Sequence, residues 1–474
     1  MSSPHAADRR VAEGYWALVR GGMRWWGVAL MVGLFAFMLP PWGGRSTSNV
    51  GFTLATVVGF ALIWPLVRRG IVPLIVWVMA AATVLWGVVC VAAWVVNDSP
   101  TRWAWQAAAR PLVLIGALAL LVYLVQQPRR WPVAIIAVFV GGAISGSIDR
   151  LIPDTDHDVW RYALSPALTP LAIVLAAIAW HSRHRVWAVT VVAIVGVLDL
   201  VTGLRSGVLQ VAVAVIAAVL YLVADRWVPR RALVLSAVGT VVLVALAIPV
   251  YGVAASTGVL GRNQQIKWER QSNAAGGILL GGRPEFRLAL EVLPHVPVLG
   301  LGPDPVLPPE IVQVRDRLAL EYTLNSVNDQ NPTAAERGYF LVNTYNEIQS
   351  YWAAEGHGIY LHSGLFQYWL WCGPLVVIPF GVALAAGLLL VAWSARRFGA
   401  AGVLGSVVLL AKYLWDALFS PPSGTNVAVM ALLVARVAAF EIERRRQSGE
   451  NPAAEGGDPA GLIAPVTSGD GSDH

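Results

Sequence analysis

The stretch Glu355-Gly-His-Gly-Ile-Tyr-Leu-His-Ser-Gly-Leu-Phe-Gln-Tyr-Trp-Leu-Trp-Cys-Gly-Pro-Leu375 marks the point where a long polar segment returns to a hydrophobic one. Two histidines, His357 and His362, precede an apolar, aromatic run that ends at Gly373-Pro374. The apolar runs on either side of this stretch decide whether it lies at a membrane surface.

Composition places the chain among polytopic membrane proteins. Of its 474 residues, 57% are hydrophobic and only 13% are charged, whereas about a quarter of the residues of a soluble domain are charged. A net charge of +6 would suit a nucleic-acid-binding protein, but the arginines stand in short clusters between apolar runs, which is typical of topology signals. We therefore predict an all-α membrane protein that contacts membrane lipids and binds no nucleic acid.

Twelve apolar runs approach the roughly 20 residues that a membrane-spanning helix needs. The predicted spans are 24–42, 50–67, 71–96, 108–126, 131–148, 163–180, 187–203, 206–225, 231–253, 364–393, 400–419 and 424–441. No small-residue cleavage site precedes the first run, which favours an uncleaved span after a basic N-terminus at 1–23. The tail at 442–474, rich in Gly, Pro, Asp and Ser, is predicted to be disordered.

Arginine clusters fall in alternate loops, and the basic termini belong to the same side. The positive-inside rule makes that side cytoplasmic in the cytoplasmic (inner) membrane, so the connection at 254–363, between spans nine and ten, lies outside. A connection of this length is usually functional or a small domain. Helical spacing predicts helices over Glu285–Val292 and Pro309–Tyr322. Cys90 and Cys372 fall in or beside apolar runs, and no disulfide is predicted between them.

The external histidines are candidates for acid–base chemistry. His362 immediately precedes an apolar run at the outer surface, where an imidazole can act as a general base or simply cap a helix. His357 lies five residues earlier and, in a helix, would not share a face with His362. We therefore expect His357 to lie near His362 without acting together with it.

Three external arginines are candidates for binding an anion. Arg205 follows a tight turn between spans seven and eight, and its partner is an anionic ligand, a lipid headgroup or nearby Asp199. Arg283 follows Gly281-Gly282, which would let the backbone approach a ligand, and Arg287 lies one helical turn later.

Two further polar groups have alternative interpretations. One predicted outer loop contains Asp154, Asp156, His157 and Asp158. Their side chains could form a divalent-metal site, or the segment could be a solvated acidic loop. Lys412 and Asp416 are four residues apart in a predicted span, which indicates a structural helical ion pair.

The order of these features resembles the O-antigen ligase and polymerase superfamily of membrane glycosyltransferases. Leu200-Val-Thr-Gly-Leu-Arg205-Ser-Gly resembles the family turn "Thr-x-Ser-Arg-Gly", with Leu204 in place of Ser. Gly282-Arg283 resembles the opening of the family's large external loop. His362 with the run to Gly373 resembles "His-Asn-x-x-Leu-x-x-x-x-x-x-Gly", with Ser363 in place of Asn.

The resemblance implies transfer of a glycan from a polyprenyl-pyrophosphate donor to a glycan or glycolipid acceptor outside the membrane, with inversion and with neither cofactor nor metal. It carries over donor pyrophosphate binding to Arg205 and Arg283 and the general-base role to His362, and Arg287 would extend the phosphate site. The sequence leaves ligase and polymerase open. A flippase for lipid-linked sugars and a membrane scaffold are the interpretations from other classes. Transporters usually place charged groups near the midplane and often have repeated halves, whereas here the charged candidates cluster at the outer face and no repeat stands out.

Overall fold

The computed structural model is all-helical within the residues that it describes, with 89% of them in helices and none in strands. The described residues are 25–38, 48–98, 101–126, 130–148, 164–202, 204–259, 265, 268, 272, 284–302, 305, 307–326, 359, 361, 363–420 and 424–448.

The helices of this described part of the chain are numbered in order. They are α1 Trp25–Met38, α2 Ser48–Arg68, α3 Leu74–Val96, α4 Thr101–Val125, α5 Trp131–Ile148, α6 Ser165–His181, α7 Arg185–Val201, α8 Arg205–Trp227, α9 Ala232–Ser256, α10 Pro284–Val292, α11 Pro309–Ser326, α12 Gly364–Cys372, α13 Val377–Phe419 and α14 Gly424–Gln447.

Five segments of the described chain are long and apolar enough to cross a membrane by length and composition. They are Leu74–Val96, Ser206–Trp227, Pro229–Ser256, Pro374–Phe419 and Thr425–Gln447. Large apolar side chains lie on their outer surfaces, with Trp227 79% and Val241 70% exposed. Such surface is unfavourable in water and favourable in hydrocarbon. The predicted all-α class is confirmed, and the helices are those of a membrane protein.

Small residues bring helices of the bundle into close contact. A Cβ on Gly59 of α2 would lie 2.9 Å from the carbonyl oxygen of Gly116 in α4, and a Cβ on Gly116 would lie 2.9 Å from Thr56 Oγ1. Membrane helices depend on such contacts because their apolar side chains gain little by leaving lipid for each other.

α13 is two helices that meet at Gly399, whose φ of +58° lies in the left-handed region. The halves, 377–398 and 400–419, pack antiparallel. Close to the kink, a Cβ on Gly402 would lie 2.0 Å from Ser394 O. Far from it, the Tyr413 hydroxyl donates to Phe380 O at 2.6 Å. The segment therefore forms a helical hairpin of two span-length arms, and its second arm begins where the sequence predicts a new span.

The apolar run predicted as one span over 364–393 is divided in the structure. α12 ends at Cys372, and Gly373 adopts φ +78° before the chain turns into α13. A Cβ at Gly373 would lie 1.9 Å from Val298 O, so glycine is required where residues 296–302 cross the turn. Leu370, for example, is fully buried by protein rather than lipid. The burial of α12 explains why its composition resembles that of a membrane span.

Cys90 and Cys372 form a disulfide, so the prediction for these cysteines is wrong. The cysteines are 282 residues apart in sequence, and their Cα atoms lie 4.7 Å apart. The apolar surroundings that argued against a disulfide instead reflect packing of α12 against α3, which buries both sulfurs. The bond fastens α12 to the bundle.

Basic segments meet at one end of the bundle, called the basic end here. Arg446 Nη1 donates to Gln126 O at 3.3 Å, and Arg397 binds Glu443 through two hydrogen bonds of 2.6 Å. His181, the last residue of α6, packs edge-on against Phe398 with ring centroids 5.2 Å apart.

The opposite end, called the loop end, carries α10, α11 and α12. Leu301 N donates to Leu370 O at 2.8 Å, and Asn97 Nδ2 reaches Gly300 O at 3.4 Å. Leu288 of α10, Ile311 of α11 and Leu361 belong to one buried apolar cluster. The helices predicted over 285–292 and 309–322 are confirmed by α10 and α11.

Candidate functional site

The two residues that flank His362 are fixed at the loop end, although His362 itself lies outside the described residues. Leu361 N donates to Gln367 Oε1 at 2.7 Å, and Gln367 Nε2 donates to Ile359 O at 3.2 Å. Ser363 Oγ accepts from Phe366 N at 3.3 Å and donates to Ala417 O at 2.8 Å. Ser363 is thus an N-cap of α12 that also fastens this helix to α13.

A buried ion pair lies next to this anchored segment. Lys412 Nζ donates to Asp416 Oδ2 within α13, and both side chains are at least 95% buried. A Cβ on Gly364 would lie 3.1 Å from Asp416 O, so the start of α12 rests on this turn of α13. The predicted helical ion pair is confirmed. Because an unpaired charge is strongly unfavourable in the bundle, the pair keeps both side chains in one arrangement.

The turn that leads to Arg205 is held by a buried carboxylate. Asp199 is fully buried and accepts hydrogen bonds from Ser165 Oγ at 2.7 Å and Thr169 Oγ1 at 2.8 Å. Its backbone oxygen accepts from Leu204 N at 2.8 Å. A Cβ on Gly207 would lie 2.2 Å from Asp199 Oδ2, so the carboxylate packs against the first turn of α8. The start of α8 is therefore a fixed point between α6 and α7.

The start of α8 lies on the same side of the bundle as α12. His181 is at the basic end, and Ser165 is the first residue of the same helix, about 24 Å away at 1.5 Å per residue. Phe398 is also at the basic end, and the arm 377–398 runs from there to α12. Both the Arg205 backbone and the His362 segment thus lie opposite the basic end. The side chain of Arg205 is outside what the structure describes, so its predicted partners stay predictions.

At the loop end, two carboxylates hold the side chain of Arg287. Its Nη1 and Nη2 donate to the two oxygens of Glu321 at 2.8 and 3.1 Å, and Nε donates to Glu291 at 3.1 Å. The hydrogen bonds to Glu321, more than the opposing burial, raise the pKa of the Arg287 guanidinium. This fork joins α10 to α11. Arg283, one turn earlier, lies outside the described residues.

A buried polar group inside the bundle belongs to none of the predicted site residues. Arg110 of α4 is 8% exposed, and within the described residues its Nη1, Trp86 Nε1 and the Tyr368 hydroxyl have no hydrogen-bond partner. The Trp86 and Tyr368 rings lie 4.8 Å apart, and Arg110 acts electrostatically on Tyr368. The sequence signal was an arginine inside an apolar run, which marks a candidate functional residue in a membrane helix.

The acidic segment Asp154–Asp158 lies outside the described residues. Within the described part of the chain, no group of three or more His, Cys, Asp or Glu side chains could hold a metal ion. Comparison of the chain with protein-family models and with curated proteins finds no match.

Proposed function

We propose that the protein is an O-antigen ligase-like glycosyltransferase that moves a glycan from a polyprenyl-pyrophosphate donor to an acceptor hydroxyl at the outer face of the cytoplasmic membrane. The anchoring of Leu361 and Ser363 carries the proposal. A general base must be held at a set distance from its substrate, and both neighbours of His362 are fixed by hydrogen bonds to α12 and α13.

The proposed topology has twelve spans, cytoplasmic termini and the connection 254–363 outside. The meeting of arginines from two helix ends, Arg397 and Arg446, at the basic end supports a cytoplasmic assignment for that end. The Cys90–Cys372 disulfide near the loop end supports an oxidising, external location for α12.

In the proposed reaction, the acceptor oxygen attacks the anomeric carbon of the donor sugar from the face opposite the pyrophosphate. The new glycosidic bond forms as the bond to the pyrophosphate oxygen breaks, and the leaving group takes that electron pair. His362 receives the hydroxyl proton. Inversion follows from attack on the opposite face.

The leaving pyrophosphate needs positive charge aimed at its oxygens as the bond breaks. Arg205 and Arg283 would supply it through bidentate hydrogen bonds, which allow departure without a metal ion. Asp199 would act through the backbone, because it fixes the first turn of α8, from which Arg205 projects. Arg287 would join this site only if it released Glu321, since its fork is already matched to that carboxylate.

Transport of a lipid-linked anion is the second candidate, and one observation favours it. Arg110 lies about 14 Å along α4 from its first residue, at a depth where transporters place charged side chains. The proposal of an enzyme is preferred because hydrogen bonds hold both described neighbours of His362, Leu361 and Ser363, in the segment that resembles the family's histidine motif.

A transfer assay separates the candidates. Full-length protein in nanodiscs would be given a labelled lipid-linked oligosaccharide, with chelator present, and products would be resolved by size. A ladder without added acceptor indicates a polymerase, and a single product that requires an acceptor indicates a ligase. In sealed vesicles, movement of intact donor between leaflets with no new glycosidic bond would contradict the enzyme and support transport.

A further inference from the structure

Three buried hydrogen-bond donors from three different helices lie in one cluster inside the bundle. They are Arg110 Nη1 of α4, Trp86 Nε1 of α3 and the Tyr368 hydroxyl of α12, and none of them has a hydrogen-bond partner within the described residues. All three residues are more than nine-tenths buried. Buried donors are almost always paired in folded proteins, so three such donors in one cluster indicate a partner that they share.

The fold holds two of the donors in place without a ligand. The rings of Trp86 and Tyr368 lie edge to face, with centroids 4.8 Å apart. The disulfide between Cys90 and Cys372 joins the same two helices one turn after each ring. The ring contact and the disulfide together fix α12 against this part of α3.

The third donor comes from the helix that packs against α3 at the same level. A Cβ on Gly87 would lie 3.5 Å from Pro111 Cβ, so the turn that carries Trp86 contacts the turn that carries Arg110. Arg110 also acts electrostatically on Tyr368. The guanidinium therefore belongs to the same cluster as the two aromatic donors.

The cluster has a positive charge that the described residues do not balance. Among them, Arg110 has neither a hydrogen bond nor an ion pair, and a guanidinium stays protonated in proteins. The surroundings are aromatic, since the Phe380 ring centroid lies 6.2 Å from that of Trp86 and 6.4 Å from that of Tyr368. A buried charge is strongly unfavourable unless it is paired, so the shared partner should be an anion.

The chemistry of the donors favours a small monovalent anion. A water molecule would accept from them, but its own hydrogens would need acceptors and the charge would stay unbalanced. A phosphate monoester has a charge of about −1.5 to −2 and three strong acceptor oxygens, which is more than one arginine and two neutral donors match. A halide has one negative charge, accepts from any direction and has no hydrogen to donate.

We propose that Arg110, Trp86 and Tyr368 bind one chloride ion, which accepts a hydrogen bond from each of them and joins α3, α4 and α12 inside the bundle. The chloride balances the charge of Arg110 and gives all three donors an acceptor. The proposal goes beyond glycan transfer and does not depend on it.

The test is binding of radioactive chloride to the full-length protein in nanodiscs, measured by scintillation proximity in gluconate buffer. We expect one saturable chloride per wild-type protein, displaced by bromide. Arg110→Met should abolish this binding. Chloride at about ten times its Kd should also raise the Tm of the wild type by about 2 °C and leave that of Arg110→Met unchanged. In gluconate alone, Arg110→Met should be at least as stable as the wild type.

Two further variants make the test specific to the cluster. Tyr368→Phe removes one donor with little change in volume, so chloride should bind about threefold to tenfold more weakly. Arg226→Met is the matched control, because it makes the same change in charge at an exposed position of α8, and it should bind chloride as the wild type does.

Absence of saturable chloride binding by the wild-type protein would overturn the proposal without recourse to any variant. Equal affinity in Arg110→Met and the wild type would also overturn it. If Arg226→Met lost as much binding as Arg110→Met, chloride would follow the net charge of the protein rather than a site. Unchanged affinity in Tyr368→Phe would contradict the assignment of the ion to this cluster.

Discussion

Arg397 at the basic end and Arg110 in the loop-end half are both arginines among membrane helices, yet their surroundings differ. Arg397 donates two hydrogen bonds of 2.6 Å to Glu443 on the neighbouring helix. Arg110 is more deeply buried, and its Nη1 has no partner within the described residues. An ion pair with matched geometry fastens helices together, whereas an unmatched buried donor is unfavourable by about 1–3 kcal/mol.

The difference concerns the two arginines and their immediate surroundings. At the basic end Arg445 also binds a carboxylate, that of Glu441, at 3.0 Å, so its charges serve packing and orientation. Within the described residues, Trp86 and Tyr368 leave further polar atoms unmatched beside Arg110, and Gln126 Nε2 and Ser182 Oγ are unmatched at the basic end. Proteins retain such unfavourable groups mainly where function requires them. Substitutions at each end test whether function is confined to the loop end.

The largest effect is expected for His362. A positioned base contributes about 10²–10⁴ in rate, so His362→Ala should nearly abolish glycan transfer while expression and donor binding stay normal. In the wild type, transfer should fall below about pH 6, because the protonated imidazole cannot accept the acceptor's proton. Initial rates of transfer in nanodiscs measure both the loss in the variant and the pH dependence of the wild type. His357→Ala is the control, and near-normal transfer by His362→Ala would remove the general-base assignment.

The disulfide gives the next effect. Cys90→Ala should lower the free energy of unfolding by about 2–4 kcal/mol, because α12 is no longer joined to α3. Cys372→Ala should give the same loss, and the double variant should lose no more than either single one. Thermal denaturation measures this, and peptide mapping without reductant tests the bond itself. Two free thiols in protein isolated from cells would contradict both the bond and the external location of the loop end.

Substitution of Arg205 should reduce activity by less than substitution of His362, and the loss should be specific to this end of α8. Charge-assisted hydrogen bonds contribute about 1.5–3 kcal/mol each, so Arg205→Ala should reduce donor turnover about tenfold to a hundredfold. Arg205→Lys should restore only part, since the bidentate fork is lost. Arg226→Ala, at the other end of α8 and exposed to solvent, is the control. A similar loss in both variants would mean that α8 contributes stability rather than a ligand contact.

Much of the fold could be predicted because membrane helices have a strong local signal. Hydrophobicity alone located the second arm of α13, and helical spacing located α10 and α11. The signal failed at α12, which is apolar because protein surrounds it. Hydropathy does not distinguish burial in protein from burial in lipid. The disulfide was missed for the same reason, since the contact between residues 90 and 372 depends on how α12 folds back.

The candidate site was predicted less completely. Motifs assigned Arg205 and His362 to the site, and these assignments stay predictions; the structure adds that Asp199 and Ser363 fix their neighbours. Neither role could be derived from sequence spacing. Asp199, for example, accepts hydrogen bonds from Ser165 and Thr169, which lie more than 25 residues earlier. Arg110 did have a local signal, a charge within an apolar run, but the lack of a partner for its Nη1 within the described residues depends on how other helices pack around it.

The smallest effect, and the most direct test of the comparison between the two ends, is a pair of Arg→Met substitutions. Arg397→Met leaves the Glu443 carboxylate without its partner. Because that pair is only partly buried, the free energy of unfolding should fall by about 1–2 kcal/mol, between the values for exposed and buried ion pairs.

Arg110→Met removes a buried charge and fills a similar volume, so the free energy of unfolding should stay unchanged or rise by about 1 kcal/mol. A role of Arg110 in glycan transfer would appear as decreased transfer by this variant at unchanged stability, whereas Arg397→Met should transfer normally once stability is matched by lowering the temperature. Thermal denaturation and initial rates on the same preparations provide both quantities. If Arg110→Met destabilised the protein as much as Arg397→Met and left transfer intact, Arg110 would be a structural residue like those at the basic end. The two ends would then differ only in which carboxylates lie within reach.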